Sequence, residues 1–217
     1  MKIFVKSTII IVALLFTVSS ARAQDEFNQW EIFGGYAYMN LNRGIDPGQY
    51  YATLGDTPAN RVNAHGFNAS LAGNWSRYLG GKIDVSFHGQ SRTFSAGVPF
   101  KLEQKVNQYM GGIQIKDNLK DGPKWKPFAH ALMGIANQHF QAEQLNGNVV
   151  IYDIKTNDFA MKMGAGLDFA VTKNIDVRLI QFDWNPIFRG SKTFGTLGTI
   201  PGVTQNNMQL TFGVAFH

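Results

Sequence analysis

The sequence predicts an all-β fold, an eight-stranded antiparallel up-and-down transmembrane β-barrel. Three observations lead to this prediction. Apolar and polar residues alternate with a period of two along most of the chain, the alternating segments run to about 12–15 residues, and aromatic residues gather at their ends. Successive side chains of a β-strand point to opposite faces, so this alternation gives each segment one apolar and one polar face.

The composition narrows the class of protein before any segment is assigned. The chain has 217 residues, of which 16% are charged, and it contains no cysteine. The absence of cysteine excludes a disulfide framework, a thiolate metal site and a cysteine nucleophile. Aromatic residues make up 13% of the chain and are spread throughout it, which excludes a disordered chain. Lysine and arginine form no clustered run, so we expect no nucleic-acid partner.

The N-terminus has the pattern of a secretory signal peptide. Two lysines within the first six residues precede the apolar stretch Thr8–Val18, and residues 21–23 (Ala-Arg-Ala) provide a cleavage signal. Eleven apolar residues are too few to span a bilayer, which takes about 20. We therefore assign residues 1–23 to a cleaved signal peptide and residues 24–217 to the exported barrel domain. Cleavage removes three cations and no acids, so the net charge falls from +5 to +2.

Residues 157–171 show the alternation most clearly. The odd positions, such as Phe159 and Met163, are all apolar, whereas the even positions are small or charged and include Lys162 and Asp168. A helix would place both charged residues on the same side as the methionines, so only a strand separates the two faces. The segment therefore predicts a strand with its apolar face turned outward.

The same alternation recurs along the chain and predicts eight strands in one domain. In one of them the alternation is interrupted at Ile180. We interpret this interruption as a β-bulge that keeps the side chains of Gln181 and Asp183 inside. Residues 125–138 are apolar on both faces, so that strand is predicted without a facing. The predicted strands are residues 30–41, 61–75, 79–92, 105–117, 125–138, 157–171, 175–188 and 206–217. The predicted long connections are residues 42–60, 93–104, 139–156 and 189–205.

The length of the strands and the aromatic residues indicate which solvent the apolar face meets. Strands of soluble proteins usually have about 5–6 residues, whereas membrane strands need about 9–11 residues to cross the bilayer and further residues at both ends. A soluble lipocalin-like barrel would also give one apolar and one charged face. Aromatic residues at strand ends favour the membrane, because they form girdles at its two interfaces. The residues assigned to these girdles are Trp30, Trp75, Tyr78, Trp125, Phe169 and Phe216 at one rim and Trp184 towards the other.

The backbone N–H and C=O groups of a free strand edge find no hydrogen-bond partner inside a bilayer, so the predicted strands must close into a barrel. The first and last strands then pair, which places both termini and the short turns on the periplasmic side. An eight-stranded barrel has an interior just wide enough for its own side chains. We therefore expect a packed lumenal charge network rather than an open pore. The residues predicted to form this network are Lys82, Asp84, His88, Lys116, Lys162, Asp168, Arg178 and Asp183.

These features resemble the small eight-stranded outer-membrane β-barrels, the OmpA-like transmembrane domain and its OmpX-type relatives. The resemblance rests on the signal peptide, the opening WEIFGGYAYMNL strand, the segment from Arg178 to Trp184 and the closing MQLTFGVAF strand. It implies a protein of the outer membrane with a structural, envelope-integrity or surface-interaction role. It also implies a monomer that contacts outer-membrane lipid and the barrel assembly machinery, with any extracellular ligand bound by the long loops. Members usually end on phenylalanine, whereas Phe216 is followed here by His217.

The sequence predicts no enzyme, no cofactor and no metal site. Catalysis would need a nucleophile and a base within hydrogen-bond reach, yet none of the five histidines stands two residues before a serine. No His, Asp or Glu cluster has the spacing of metal ligands, and no glycine-rich phosphate loop follows a strand. Two alternatives remain open: a periplasmic lipid-binding, lipocalin-like barrel with its apolar face inward, and a narrow solute pore.

Overall fold

The three-dimensional structure is a computed structural model. It describes residues 27–42, 61–94, 99–146, 149–193, 199–200 and 202–217. The predicted signal peptide therefore lies outside the described residues, as does most of the predicted connection 42–60. Within the described part of the chain, no helix is long and apolar enough to cross a membrane.

Eight long strands form the wall of the molecule, and two short strands form a separate hairpin. In chain order the strands are β1 (Trp30–Asn42), β2 (Arg61–Asn74), β3 (Leu79–Phe94), β4 (Phe100–Lys116), β5 (Trp125–Gln144), β6 (Val149–Ala170), β7 (Ile175–Arg189), β8 (Lys192–Thr193), β9 (Thr199–Ile200) and β10 (Val203–Phe216). Strands β1–β7 and β10 close into an antiparallel barrel, whereas β8 pairs with β9. The predicted fold class, an eight-stranded antiparallel up-and-down barrel, is confirmed.

The barrel closes by pairing its first and last wall strands. The register between β1 and β10 runs from Ile32 opposite Phe216 to Asn40 opposite Met208. Closure supplies every wall strand with a neighbour on both sides, which is what the hydrocarbon interior of a membrane requires. We call the end that holds Trp30, Phe216 and the short turns the short-turn end, and the opposite end the loop end.

The register of the wall fixes the tilt and the width of the barrel. A path that follows the paired residues around the wall leaves β5 at Ile135 and returns to the same strand at Trp125, ten residues lower. A shear of ten across eight strands gives a strand tilt of about 40° and a backbone radius of about 8 Å. Each residue therefore advances about 2.5 Å along the barrel axis.

The faces of β1 and β5 become clear from the exposure of their side chains. In β1, Ile32 and Tyr36 are exposed and Phe33 is buried, as the predicted alternation requires. In β5, whose facing the sequence left open, Phe128 points into the barrel and Met133 points outward. The inward positions of this strand mix apolar and polar side chains, so its sequence carries no clear period of two.

The predicted β-bulge in β7 is present. Ile180 pairs with Leu167, whereas Arg178 pairs with Asp168, so Leu179 is the additional residue on β7. Both Leu179 and Ile180 are exposed on the outer surface, at 42% and 44%. The bulge restores the alternation and allows the residues beyond it to keep their predicted faces.

The predicted connections 93–104 and 139–156 are wrong: both are shorter in the structure, because the strands on either side of them continue further. Strands β5 and β6 remain paired as far as Gln144 opposite Val149, and β3 and β4 remain paired as far as Phe94 opposite Phe100. The sequence did not indicate these extensions because apolar and polar residues no longer alternate strictly there; residues 149–152, for example, are four apolar or aromatic residues in a row. The period of two then disappears although the hydrogen-bond ladder continues.

Candidate functional site

The outer surface carries an apolar band whose height matches a membrane. The outward residues are apolar from Trp125 to Ile135 on β5 and from Phe169 to Phe159 on β6. Ten residues correspond to about 25 Å along the axis, which is the height of the apolar band of outer-membrane barrels. Two methionines also point outward, since Met163 is 36% and Met133 is 60% exposed.

The predicted girdle residues lie mostly at the short-turn end of this band. Phe169 packs edge-on against Trp125 with ring centroids 4.9 Å apart. Trp184 differs from the others, because it pairs with Met163 on one side and Met208 on the other and so lies within the band. The girdle residues exposed at the short-turn end are Trp30, Trp75, Tyr78, Trp125 and Phe216.

The lumen near the short-turn end holds a cluster of ion pairs centred on Lys116. Its Nζ donates to Glu31 Oε2 at 2.6 Å, to Asp168 Oδ2 at 2.6 Å and to Asp176 Oδ2 at 3.2 Å. Arg178 donates to the other oxygen of Asp168 from Nε at 2.8 Å and to Glu31 Oε1 from Nη2 at 3.0 Å. Each cation thus bridges carboxylates that come from different strands, which ties the wall together across the lumen.

Arg178 is also enclosed by two aromatic rings. Its guanidinium carbon lies 4.1 Å from the ring centroids of both Phe33 and Phe128. A guanidinium is planar and weakly hydrated, so it stacks on aromatic faces while its nitrogens donate at its edge. This arrangement holds the Arg178 side chain inside the barrel, where it is 1% exposed.

A second ionic cluster lies nearer the loop end. Lys162 Nζ donates to Asp84 Oδ1 at 2.7 Å, and Asn68 donates to the other carboxylate oxygen at 2.9 Å. His130 Nε2 lies 3.0 Å from Asp183 Oδ1. These polar groups come from five of the wall strands, so this level of the lumen is also bridged.

Lys82 and His88 are buried in the lumen but differ from the other predicted network residues. Within the described residues, neither Lys82 Nζ nor the two ring nitrogens of His88 have a hydrogen-bond partner. Lys82 Nζ instead lies 5.6 Å from the centroid of the Phe128 ring. The structure thus brings five of the eight predicted residues into ion pairs, places Asp183 beside His130, and leaves Lys82 and His88 next to them.

The structure adds several charged residues that the sequence prediction missed. Asp176 shares its face with Arg178 two residues away, so the period of two could have identified it. Lys126 lies on the strand whose facing was left open, which is why it was missed. Among the described residues, six buried cations balance six buried carboxylates. They are Lys82, Lys116, Lys126, Lys162, Arg178 and Arg189 with Glu31, Asp84, Asp158, Asp168, Asp176 and Asp183.

Both ends of the lumen are filled by other groups. Towards the loop end, a cluster of buried apolar side chains includes Met39, Leu132 and Ile187. At the short-turn end, residues 27–29 cross the mouth of the barrel, since the Asn28 N–H donates to the carbonyl of Asn118 at 2.8 Å. In the described part of the chain, no group of three or more His, Asp or Glu side chains could hold a metal ion.

Together the closed wall, the apolar band and the filled, charge-balanced lumen define an integral β-barrel of the outer membrane. Residues 8–216 match the outer membrane protein beta-barrel domain family, and the chain belongs to this family. No curated protein sequence is significantly similar to the chain.

Two solved structures show the same fold. One is Ail, the attachment invasion locus protein of Yersinia pestis, which was solved in complex with the heparin analogue sucrose octasulfate. Ail is 14% identical to this chain, with a TM-score of 0.50, and the match covers 86% of this chain and 97% of Ail. Neisserial surface protein A shares 12% identity with a TM-score of 0.52, over 87% of this chain and 97% of that protein.

Proposed function

We propose that this outer-membrane barrel has a structural and surface-interaction role, acts as a monomer and catalyses no reaction. In the proposed orientation the loop end faces the cell exterior and the short-turn end faces the periplasm. The proposed partners are outer-membrane lipid, the barrel assembly machinery and an extracellular ligand, but not nucleic acid. Residues 27–29 and His217 lie at the short-turn end.

The observation that carries the surface role is a sheet that projects beyond the apolar band. Strand β5 continues nine residues past Ile135 to Gln144, and β4 and β6 remain paired with it over this length. At about 2.5 Å per residue the sheet reaches about 22 Å beyond the band. A rigid sheet raised above the lipid surface can present side chains to another molecule.

The filled lumen supports a structural role over the two alternatives. A pore would need a continuous passage, but ion pairs, the enclosed Arg178 and the apolar cluster occupy successive levels. A lipid-binding barrel in the periplasm would turn its apolar face inward, whereas Met133 and Ile135 are more than half exposed on the outer surface. Neither alternative is favoured.

The role can be tested by removing the projecting sheet without opening the barrel. Because Asn137 pairs with Asn157, a two-residue turn can replace residues 138–156 and preserve the register below. A matched control replaces residues 43–60, the segment of the chain between β1 and β2. We expect only the first variant to lose adhesion of producing cells to heparin-coated surfaces. If deletion of the whole gene changes neither the adhesion of the cells nor their sensitivity to vancomycin, the proposal is overturned.

A further inference from the structure

We propose that a cleft at the short-turn end binds an N-acetylated amino sugar that carries a carboxylate, which is the chemistry of the muramyl units of peptidoglycan. The cleft has a volume of about 470 Å³, within the range of about 300–1,000 Å³ that is usual for ligand sites. We call it the short-turn cleft. The inference rests on the proposed orientation, because peptidoglycan lies on the periplasmic side of the outer membrane.

Four segments of the chain converge to form the short-turn cleft. They are residues 27–30, the turn between β4 and β5, the turn between β6 and β7, and His217. Hydrogen bonds fix these segments to one another and to the wall. Asn74 Nδ2 donates to the carbonyl of Asn28 at 2.7 Å, and the His217 N–H donates to the carbonyl of Asn174 at 3.0 Å. The walls of the cleft are therefore anchored to the barrel.

Two residues that line the cleft each have a buried polar atom without a hydrogen-bond partner among the described residues. One atom is Asn28 Nδ2, a donor, in a residue that is 7% exposed. The other is His217 Nδ1, in a side chain that is 1% exposed. His217 Nε2 lies 2.7 Å from Asp176 Oδ2. Since an ionised carboxylate only accepts, Nε2 carries the proton and Nδ1 of the neutral ring is an acceptor. Buried polar groups are normally satisfied, so this donor and this acceptor indicate a ligand that pairs with both.

Aromatic rings and charged side chains complete the lining of the cleft. Phe27 and Trp30 contribute aromatic surface, and Trp30 is 44% exposed. Lys120 and Lys173 contribute cations, whereas Asp121 contributes a carboxylate that lies 3.0 Å from Lys173 Nζ. The side chains of this ion pair are 79% and 75% exposed, so water screens their attraction and the lysine can take another partner at little cost. Among the described lining side chains, cations thus outnumber carboxylates by one.

This combination of groups matches an acidic N-acetyl sugar. The amide of an N-acetyl group has an N–H to donate to His217 Nδ1 and an oxygen to accept from Asn28 Nδ2. The C–H face of a sugar ring packs on an aromatic ring, and a carboxylate accepts charge-assisted hydrogen bonds from lysine. A neutral sugar would leave the lysines unused, and a small inorganic anion would leave the aromatic surface and His217 Nδ1 without a partner. The acidic N-acetyl sugar is therefore favoured over both.

The full barrel, folded in an uncharged detergent, allows a direct test by isothermal titration calorimetry. The probe is the disaccharide tetrapeptide that muramidase releases from peptidoglycan, and it is compared with diacetylchitobiose, which has two N-acetyl sugars but no carboxylate. The cleft variant is Lys120→Gln/Lys173→Gln. The matched control is Lys101→Gln/Lys105→Gln, which removes two lysines that pair with Glu103 at the loop end. Heat-modifiable gel mobility verifies that each variant is folded. If the cleft variant does not fold, Lys173→Gln alone is used, because this side chain is 79% exposed.

We expect the cleft variant to lose about tenfold or more in affinity for the disaccharide tetrapeptide, as for the loss of a hydrogen bond to a charged group, while the control variant binds as the unaltered barrel does. No binding by the unaltered barrel, undiminished binding by the cleft variant or an equal loss in both variants would overturn the proposal. Equally tight binding of diacetylchitobiose, or of the tetrapeptide without its sugars, would also overturn it. The calorimetry does not depend on orientation, whose failure appears separately as maleimide labelling of Lys173→Cys on intact cells.

Discussion

Met163 is the outward residue of β6 at which a charge is expected to be most costly. It lies six residues from Phe169 and four from Phe159, the two ends of the apolar band on this strand. At about 2.5 Å per residue, these ends are about 15 Å and 10 Å away. The side chain therefore meets hydrocarbon near the middle of the membrane. We expect Met163→Arg to lower the free energy of unfolding by about 2–4 kcal/mol, the cost of an arginine on the lipid face at the midplane.

Asn157→Arg is the matched control for this prediction. It places the same side chain on the same strand and the same outer face, two residues beyond the last apolar position, Phe159. Near the interface an arginine costs about 0–1 kcal/mol. The difference between the two variants thus isolates depth in the membrane from the chemistry of arginine.

The measurement is reversible unfolding in urea in the presence of phospholipid vesicles, followed by tryptophan fluorescence and by heat-modifiable mobility on gels. Met163→Arg should shift the unfolding midpoint strongly to lower urea, and Asn157→Arg should shift it little. Equal shifts, or a larger shift for Asn157→Arg, would refute the assignment of this face to the hydrocarbon of the membrane.

Three further predictions concern the lumen. Lys116→Met leaves three buried carboxylates without their shared cation and should cost about 3–5 kcal/mol, whereas Lys173→Met at an exposed ion pair should change the urea midpoint little. Gly164→Ala should destabilise the barrel by about 1–3 kcal/mol, because its Cβ would lie 2.6 Å from the carbonyl oxygen of Phe182. Gly111→Ala is the control and should be tolerated, because a Cβ there would have nothing within 4 Å. Equal effects at the two glycines would contradict the packing. Planar-bilayer recordings should show no stable large channels, and their appearance would contradict the filled lumen.

The alternation of side chains made most of the wall predictable. The lower ends of the strands, such as Trp30, Leu79 and Trp125, agree with the predicted starts because aromatic and apolar residues stop abruptly there. The upper ends could not be predicted where β5 and β6 continue into water. Residues 149–152 of β6 are four apolar or aromatic residues in a row, so the pairing there leaves no alternating signal in the sequence.

The lumenal side chains were predictable only as a set that shares one face. Lys162 and Asp168 lie on that face of β6, yet Lys162 pairs with Asp84 and Asp168 with Lys116 and Arg178. Asp84 and Lys116 come from strands that are not neighbours of β6, whereas Arg178 lies directly opposite Asp168 on the adjacent strand β7. Pairing across a lumen depends on the shear of the barrel, which shifts each strand relative to the next and which no single strand encodes.

The sequence by itself determined the strand count, the face of most strands and the bulge at Ile180, because each follows from the local period of two. Only the tertiary structure decided the facing of β5, the length of the projecting sheet and the partners of each lumenal charge. The physical reason is that a strand encodes which way its side chains point, whereas register and closure determine which side chains meet.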